Sequence, residues 1–336
     1  MRTASISILL TVVVACARSD ATTPPPAAEE ATTQAAVKPV PKELPAILAD
    51  VNGESIERWE METAIREIEL MAEHPLPSSQ RDELMRAVLD RLIGHHLVAQ
   101  EARALKLVVS DGEVQADIRR LRDQFATQAE FDEALTDYRT TPDQLRRQRR
   151  LSLEVALFVR KNIDPSISVK PQDIQAYYDA NPEQFHEEES VHANHILILA
   201  LPDATAAQRE TARTQATTLL GQLRAGADFA QLAREHSQDP GTAPEGGDLG
   251  WVPRGRTDPV FEAAAFSLKV AELSDVVETS YGFHVIKVGE RREARTVSLG
   301  EVKTDIERML SERAQQEALA VFVEQAKAKA KIEIFI

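Results

Sequence analysis

The stretch VHANHILIL, residues 191–199, places His192 and His195 three positions apart in an apolar run, a spacing that invites a shared metal ion. The run is short, rich in Ile and Leu, and bounded by the polar segments HEEES and PDAT, which predicts a strand. Side chains on a strand alternate between faces, so His192 and His195 point to opposite sides of the sheet and cannot close on one ion. No metal is therefore expected. His195 on its own reads as a hydrogen-bonded structural histidine unless a further partner gives it chemistry. A second pair, His95 and His96, is adjacent on a helical segment, so the two rings diverge, and rim or solvent positions are expected for them.

The elements that must position such residues can be read locally. From residue 45 to about 184 the pattern is mostly helical after one short strand, ILADVNG, residues 47–53. Leu84, Val88 and Leu92 with Leu89, Ile93 and Leu97 form a broad apolar stripe. Ser110 with Glu113 fits a capping box, and Thr141-Pro142-Asp143-Gln144 combines an N-cap, a first-turn proline and Gln three on. Residues 188–292 read as a strand, two helices, a glycine-rich loop, a short helix and two strands. Asp228 and Asp258 are placed to cap helices there. Residues 297–329 return to helix, with Val302, Ile306, Leu310, Ala318 and Phe322 on one face. The tail KIEIFI can pair with ILADVNG, which would let both chain ends close one helical domain.

Composition bounds the function. The 336 residues suffice for two or three domains, and the net charge of −15 argues against nucleic acid as a partner, because phosphate binding is driven by Lys and Arg. The opening MRTASISILLTVVVAC has the form of a signal peptide over 1–15, and Val13-Val14-Ala15-Cys16 resembles a bacterial lipobox, which predicts lipidation of Cys16, the single cysteine. Residues 17–44 are rich in Ala, Thr and Pro and predict a tether with an r.m.s. span on the order of 30 Å. The expected setting is extracytoplasmic, on the periplasmic side of a membrane, held there by the lipid anchor. Ala17 after the cysteine fits an outer membrane if the host has two.

Five blocks in order, VHANHILIL, FAQLAREHSQD, GGDLGWVPRG, FEAAAFSL and VVETSYGFHVIKV, resemble the parvulin family of peptidyl-prolyl isomerases. The flanks, notably VNGESI and AVLDRLIGHHLVAQEARALKL, are similar to the chaperone domains of SurA and the PrsA foldases. The resemblance implies an α+β fold in which a four-stranded antiparallel parvulin sheet with helices, residues 188–292, is inserted in a mostly helical chaperone domain. Residues 45–187 and 293–336 would form that domain. It implies a histidine pair, His195 with His284, joined by Asp239 where some parvulins carry Cys, and by Thr279. Leu249 and Phe261 fall at the walls of a proline pocket, with Thr257 where Met is usual. His195 would then be there for His284, with His192 on the other face. The implied activity is non-covalent isomerisation of X-Pro bonds in unfolded or partly folded exported proteins, with no cofactor. The other reading is a holdase whose parvulin domain binds extended chains without turning them over. LALPDATAAQ, where phosphate-directed parvulins are basic, has no Lys or Arg before Arg209.

Overall fold

A computed structural model describes residues 39–72 and 77–336. The signal peptide and Cys16 lie outside the described residues. Contacts divide the chain into two units, the described residues up to Lys170 with Glu307–Ile336, and Pro171–Ile306.

The first unit opens with the hairpin β1 (Ile47–Val51) and β2 (Glu54–Glu57), followed by α1 (Arg58–Ala72), α2 (Arg81–Ala104), α3 (Asp111–Arg122), α4 (Gln128–Asp137) and α5 (Pro142–Phe158). Both capping boxes read from the sequence are present, at Ser110 and Thr141. The stripe on α2 buries Val88, Leu89, Leu92, Ile93 and Leu97 against Leu48, Val51, Ile56 and Met61. Two expectations are corrected here. His96 is not at a rim: it is buried, with Nδ1 3.2 Å from Glu54 Oε1 and Nε2 2.9 Å from Glu60 Oε2. The same stripe that buries α2 draws His96 under the hairpin, where the two carboxylates meet it. Residues 39–44 do not hang free as the end of a tether either. Val40 is buried, its N–H donates to Asp82 Oδ2, and Leu44 packs on the same core.

The second unit runs through α6 (Pro171–Ala180), β3 (His186–Glu187), β4 (Ser190–Leu199), α7 (Ala206–Arg224), α8 (Phe229–His236), β5 (Asp248–Pro253), α9 (Pro259–Ser267), β6 (Val277–Glu278), β7 (Gly282–Arg292) and β8 (Arg295–Thr296). Then comes α10 (Leu299–Lys327), whose residues from Glu307 onward belong to the first unit, and the last strand is β9 (Ile332–Ile334). β9 pairs antiparallel with β1, so Ile334 lies opposite Ala49 and Ile332 opposite Val51, and KIEIFI completes a sheet of order β2-β1-β9.

The contact boundaries fall at 170/171 and 306/307, outside the 187/188 and 292/293 suggested by the sequence. Pairing between the two flanks of the inserted segment explains the difference. β3 pairs with β8, Phe185 stacks on Tyr178, and Tyr178 Oη donates to Val297 O, so the flanks of the inserted segment are held together.

β5, β4, β7 and β6 form one antiparallel sheet in that order. The stretch Asp248–Pro253, which the pattern reads as part of a glycine-rich loop, is its edge strand β5. Ile196 and Ile198 face α7 and α8, packing with Leu219, Leu220, Phe229, Phe283 and Val285. Val191 and Ala193 face α9, packing with Phe261, Ala265, Ile286 and Val288. Two bulges occur beside β4, yet the unpaired residues are Leu249 on β5 and Gly289 on β7. The alternation along β4 is therefore unbroken, and His195 shares the α9 face with Val191 and Ala193.

Candidate active site

His195 on β4 lies opposite Ile286 of β7, and Leu197 lies opposite His284. The two histidines are thus diagonal neighbours on one face of a sheet, a separation that two aromatic side chains can span. They do span it: Nδ1 of His195 is 3.3 Å from Nδ1 of His284, and the rings are stacked with centroids 5.5 Å apart. His192 projects the other way, edge-on to Trp251 and 3.6 Å from Asp248.

Each histidine has a second partner. His195 Nε2 lies 2.8 Å from Asp239 Oδ2 and 2.9 Å from Thr242 Oγ1, and Thr242 Oγ1 donates to the same carboxylate oxygen at 2.5 Å. His284 Nε2 lies 2.8 Å from Thr279 Oγ1, which also accepts Tyr281 N–H at 3.2 Å. Donor and acceptor bookkeeping gives this chain one direction. An ionised Asp239 only accepts, so His195 carries its proton on Nε2. Its Nδ1 then accepts from His284 Nδ1–H, leaving His284 Nε2 to accept from the Thr279 hydroxyl. Both imidazoles are neutral in that scheme. Electrostatics agree: burial pushes the His195 pKa below the ordinary range against the pull of Asp239, and burial followed by the neighbouring His195 takes His284 down to about 4. Burial alone would raise the Asp239 carboxyl, but hydrogen bonds from Thr242, His195 and Gly241 hold it below its usual value.

Local backbone demands explain how the sequence builds this. Gly247 adopts φ +80°, and its carbonyl accepts His195 N–H at 2.8 Å. A Cβ there would sit 2.2 Å from the His195 carbonyl oxygen, so only glycine lets the loop reach β4. Gly282, at φ +144°, closes the turn that presents Thr279, and a Cβ would meet the Ile198 carbonyl at 2.2 Å.

Phe261, buried on α9, ties the relay to an apolar wall. Its ring is edge-on to both imidazoles, with centroids 5.9 Å from His195 and 5.4 Å from His284. Leu249 packs on the same cluster, half-buried. Thr257 lies just before the Asp258 cap of α9, and its Oγ1 is buried with no hydrogen-bond partner among the described residues. His195 and His284 thus share one face of the sheet and contact Asp239, Thr279 and Phe261, with Leu249 on the same apolar cluster, whereas no such contact ties Thr257 to them among the described residues. Thr242 was missed. DPGT reads as an Asx turn, which Gly241 N–H to Asp239 Oδ1 fulfils, but nothing in that pattern tells how far the next hydroxyl reaches. No group of three or more metal-ligating side chains occurs among the described residues.

Comparison with known proteins follows the same division. Residues 181–292 match the family described as PPIC-type PPIASE domain, and residues 32–157 match the SurA-like N-terminal domain. The chain is similar to the foldase protein PrsA of Clostridium botulinum, 27% identical over 307 residues that cover 86% of this chain and 88% of that one. It is also similar to PrsA of a Geobacillus species, 31% identical over 223 residues, covering 66% of this chain and 71% of the relative. A solved structure among the SurA-like chaperones of Campylobacter jejuni is 24% identical, covering 86% of this chain and all of that one, with a TM-score of 0.42.

Proposed function

The chain belongs to the PrsA foldase family, and from that premise we propose how its second unit isomerises X-Pro bonds and where the protein works. The protein is a peptidyl-prolyl cis-trans isomerase of the parvulin type joined to a SurA-like chaperone domain.

Isomerisation has to weaken a partial double bond against a barrier of about 18–20 kcal/mol, and it makes and breaks no covalent bond. Phe261 and Leu249 form a dry wall for the proline ring, and Thr257 precedes the cap of the helix that carries Phe261. Taking the amide out of water favours the twisted geometry, whose charge separation is smaller than that of the planar ground state. The neutral relay from Thr279 through His284 and His195 to Asp239 fixes where each proton sits, so no side chain has to reorganise as the amide turns. Asp239 has an electrostatic role. It lacks the nucleophilicity of a thiolate, and a covalent path is not part of the proposal. The observation that carries this reading is the 3.3 Å contact between His195 and His284 with Phe261 edge-on to both.

The test is protease-coupled turnover of a proline tetrapeptide series by the full chain. We expect acceleration by the wild type and a loss of at least tenfold in Phe261→Ala, with suppression of aggregation of an unfolded client unchanged. Equal turnover by the variant would remove Phe261 from the pocket.

The working place is proposed to be extracytoplasmic, with Cys16 lipidated on the periplasmic side of a membrane and the clients unfolded or partly folded exported chains. The support is the single cysteine after an apolar stretch and the Ala-, Thr- and Pro-rich segment that follows it. No helix among the described residues is long and apolar enough to cross a membrane. Intact mass after export decides the anchor: wild type should carry acyl chains that Cys16→Ser lacks, and identical unmodified masses would reject it.

A further inference from the structure

The loop between α8 and β5 reaches His195 through Asp239, Thr242 and Gly247, and Thr242 is bonded to both of the others. The hydroxyl of Thr242 donates to Asp239 Oδ2 at 2.5 Å and lies 2.9 Å from His195 Nε2, so the His195 N–H is shared between the carboxylate and the hydroxyl that also binds it. The Thr242 carbonyl accepts Gly247 N–H at 2.8 Å, and Gly247 in turn accepts His195 N–H. Thr242 therefore meets β4 through its side chain, and its carbonyl braces Gly247, the loop residue whose own carbonyl binds β4.

We propose that Thr242 is a positioning residue for the isomerase reaction, occupying one oxygen of Asp239 and so holding that carboxylate ionised, in a fixed orientation and in register with His195. The argument rests on the site reading above. Oδ2 takes both the Thr242 hydroxyl and the His195 N–H, whereas Oδ1 takes only the Gly241 N–H at 3.1 Å. Oδ1 retains acceptor capacity, and Asp239 is partly exposed, so this is the oxygen left to face a bound peptide. Without the hydroxyl, Asp239 can rotate and share His195 between its two oxygens, and its charge loses a donor in a half-buried place. Asp239 and His195 on β4 act on each other, His284 on β7 feels both of them and also Asp258 at the start of α9, and Arg234 of α8 donates to the Pro244 carbonyl of the same loop. Thr242 is the neutral group whose loss changes none of their charges.

The experiment uses the full chain with carboxyl-labelled Asp, the Asp239 resonance being the one that Asp239→Asn removes. Thr242→Val keeps the shape and deletes the hydroxyl, and Thr242→Ser restores it. The Asp239 titration midpoint should move upward in Thr242→Val and return in Thr242→Ser. The acid limb of kcat/KM for a proline tetrapeptide should move with it, with a several-fold loss above that limb. A midpoint unchanged in Thr242→Val, or displaced equally in Thr242→Ser, would overturn the proposal. So would a fall in kcat/KM whose acid limb stays at the wild-type pH, since that is the mark of loosened packing alone. Absence of turnover in the wild type would instead count against the isomerase assignment of these residues, and the midpoint would still decide whether Thr242 holds Asp239.

Discussion

At the scale of single residues, buried histidines with opposite electrostatics sit in the two units, His195 and His284 in one and His96 in the other. His195 is neutral because burial outweighs the pull of Asp239, His284 because burial and then His195 both lower it, and deleting either ring leaves the other with a buried nitrogen unpaired, at about 1–3 kcal/mol. Both single mutants to Ala should lose stability and turnover, and the double mutant should cost less than the sum, as directly coupled residues do. His192→Ala, on the other face against Trp251, should leave turnover intact. Denaturant melts with peptide turnover measure all of this; strict additivity would mean that the 3.3 Å contact contributes nothing. His96 behaves in reverse. Burial works to lower its pKa, but hydrogen bonds to Glu54 and Glu60 and their charge raise it to about 9. A folded pKa above the ordinary 6.5 means that the stabilisation, about 3 kcal/mol, is fully present below pH 6.5 and is lost as pH rises through about 9. Trp59, bonded to Glu57 at the edge of the hairpin, reports on that unit. The stability difference between wild type and His96→Gln, followed by Trp59 fluorescence in a chain lacking Trp251, should shrink between pH 7 and 10. A constant difference would show that the ring is not charged in the fold.

At the scale of elements, the sheet places the site and the loops tune it. Gly247→Ala should cost more than an ordinary surface change and should abolish turnover, since a Cβ 2.2 Å from the His195 carbonyl must push the loop away from β4 and carry Thr242 and Asp239 with it. Turnover of Gly247→Ala within twofold of wild type would show that the loop is not held by that approach. What could be read from sequence follows the same physics. Strand parity placed His192 and His195 on opposite faces, and capping chemistry marked the starts of α3, α5, α8 and α9, because both are set within a few residues. The pairing of His195 with His284 needed the register of β4 against β7, a contact between residues far apart in the chain that no local pattern contains. It came from the resemblance. β5 was hidden by the glycines that its bulge and turn require. His96 was misplaced because Glu54 and Glu60, which make its burial tolerable, sit in other elements.

At the scale of the whole molecule, the order of the chain makes one unit depend on both ends and leaves the other self-sufficient. β9 supplies the third strand beside β1, and α10 lays Leu319, Phe322 and Val323 on Val98, Ala99 and Phe158. Residues 39–170 alone would expose that apolar surface and leave β1 unpaired on one side, losing several buried side chains at about 1.5–3 kcal/mol each. Such a loss is comparable to the whole stability of a domain. The second unit contains its own partners: both faces of its sheet are covered by its own helices, and β3 with β8 clasps its ends. We therefore expect Pro171–Ile306 expressed alone to melt in one cooperative transition reported by Trp251 and to keep the turnover of a short proline peptide. Residues 39–170 alone should give no cooperative transition by Trp59 fluorescence, and joining Glu307–Ile336 to them through a short flexible linker should restore it. A sharp, undiminished melt of residues 39–170 would show that the chain ends are not needed to complete this unit. A Pro171–Ile306 fragment that is unfolded, or folded but without turnover while the full chain is active, would show that the isomerase site draws on residues outside it.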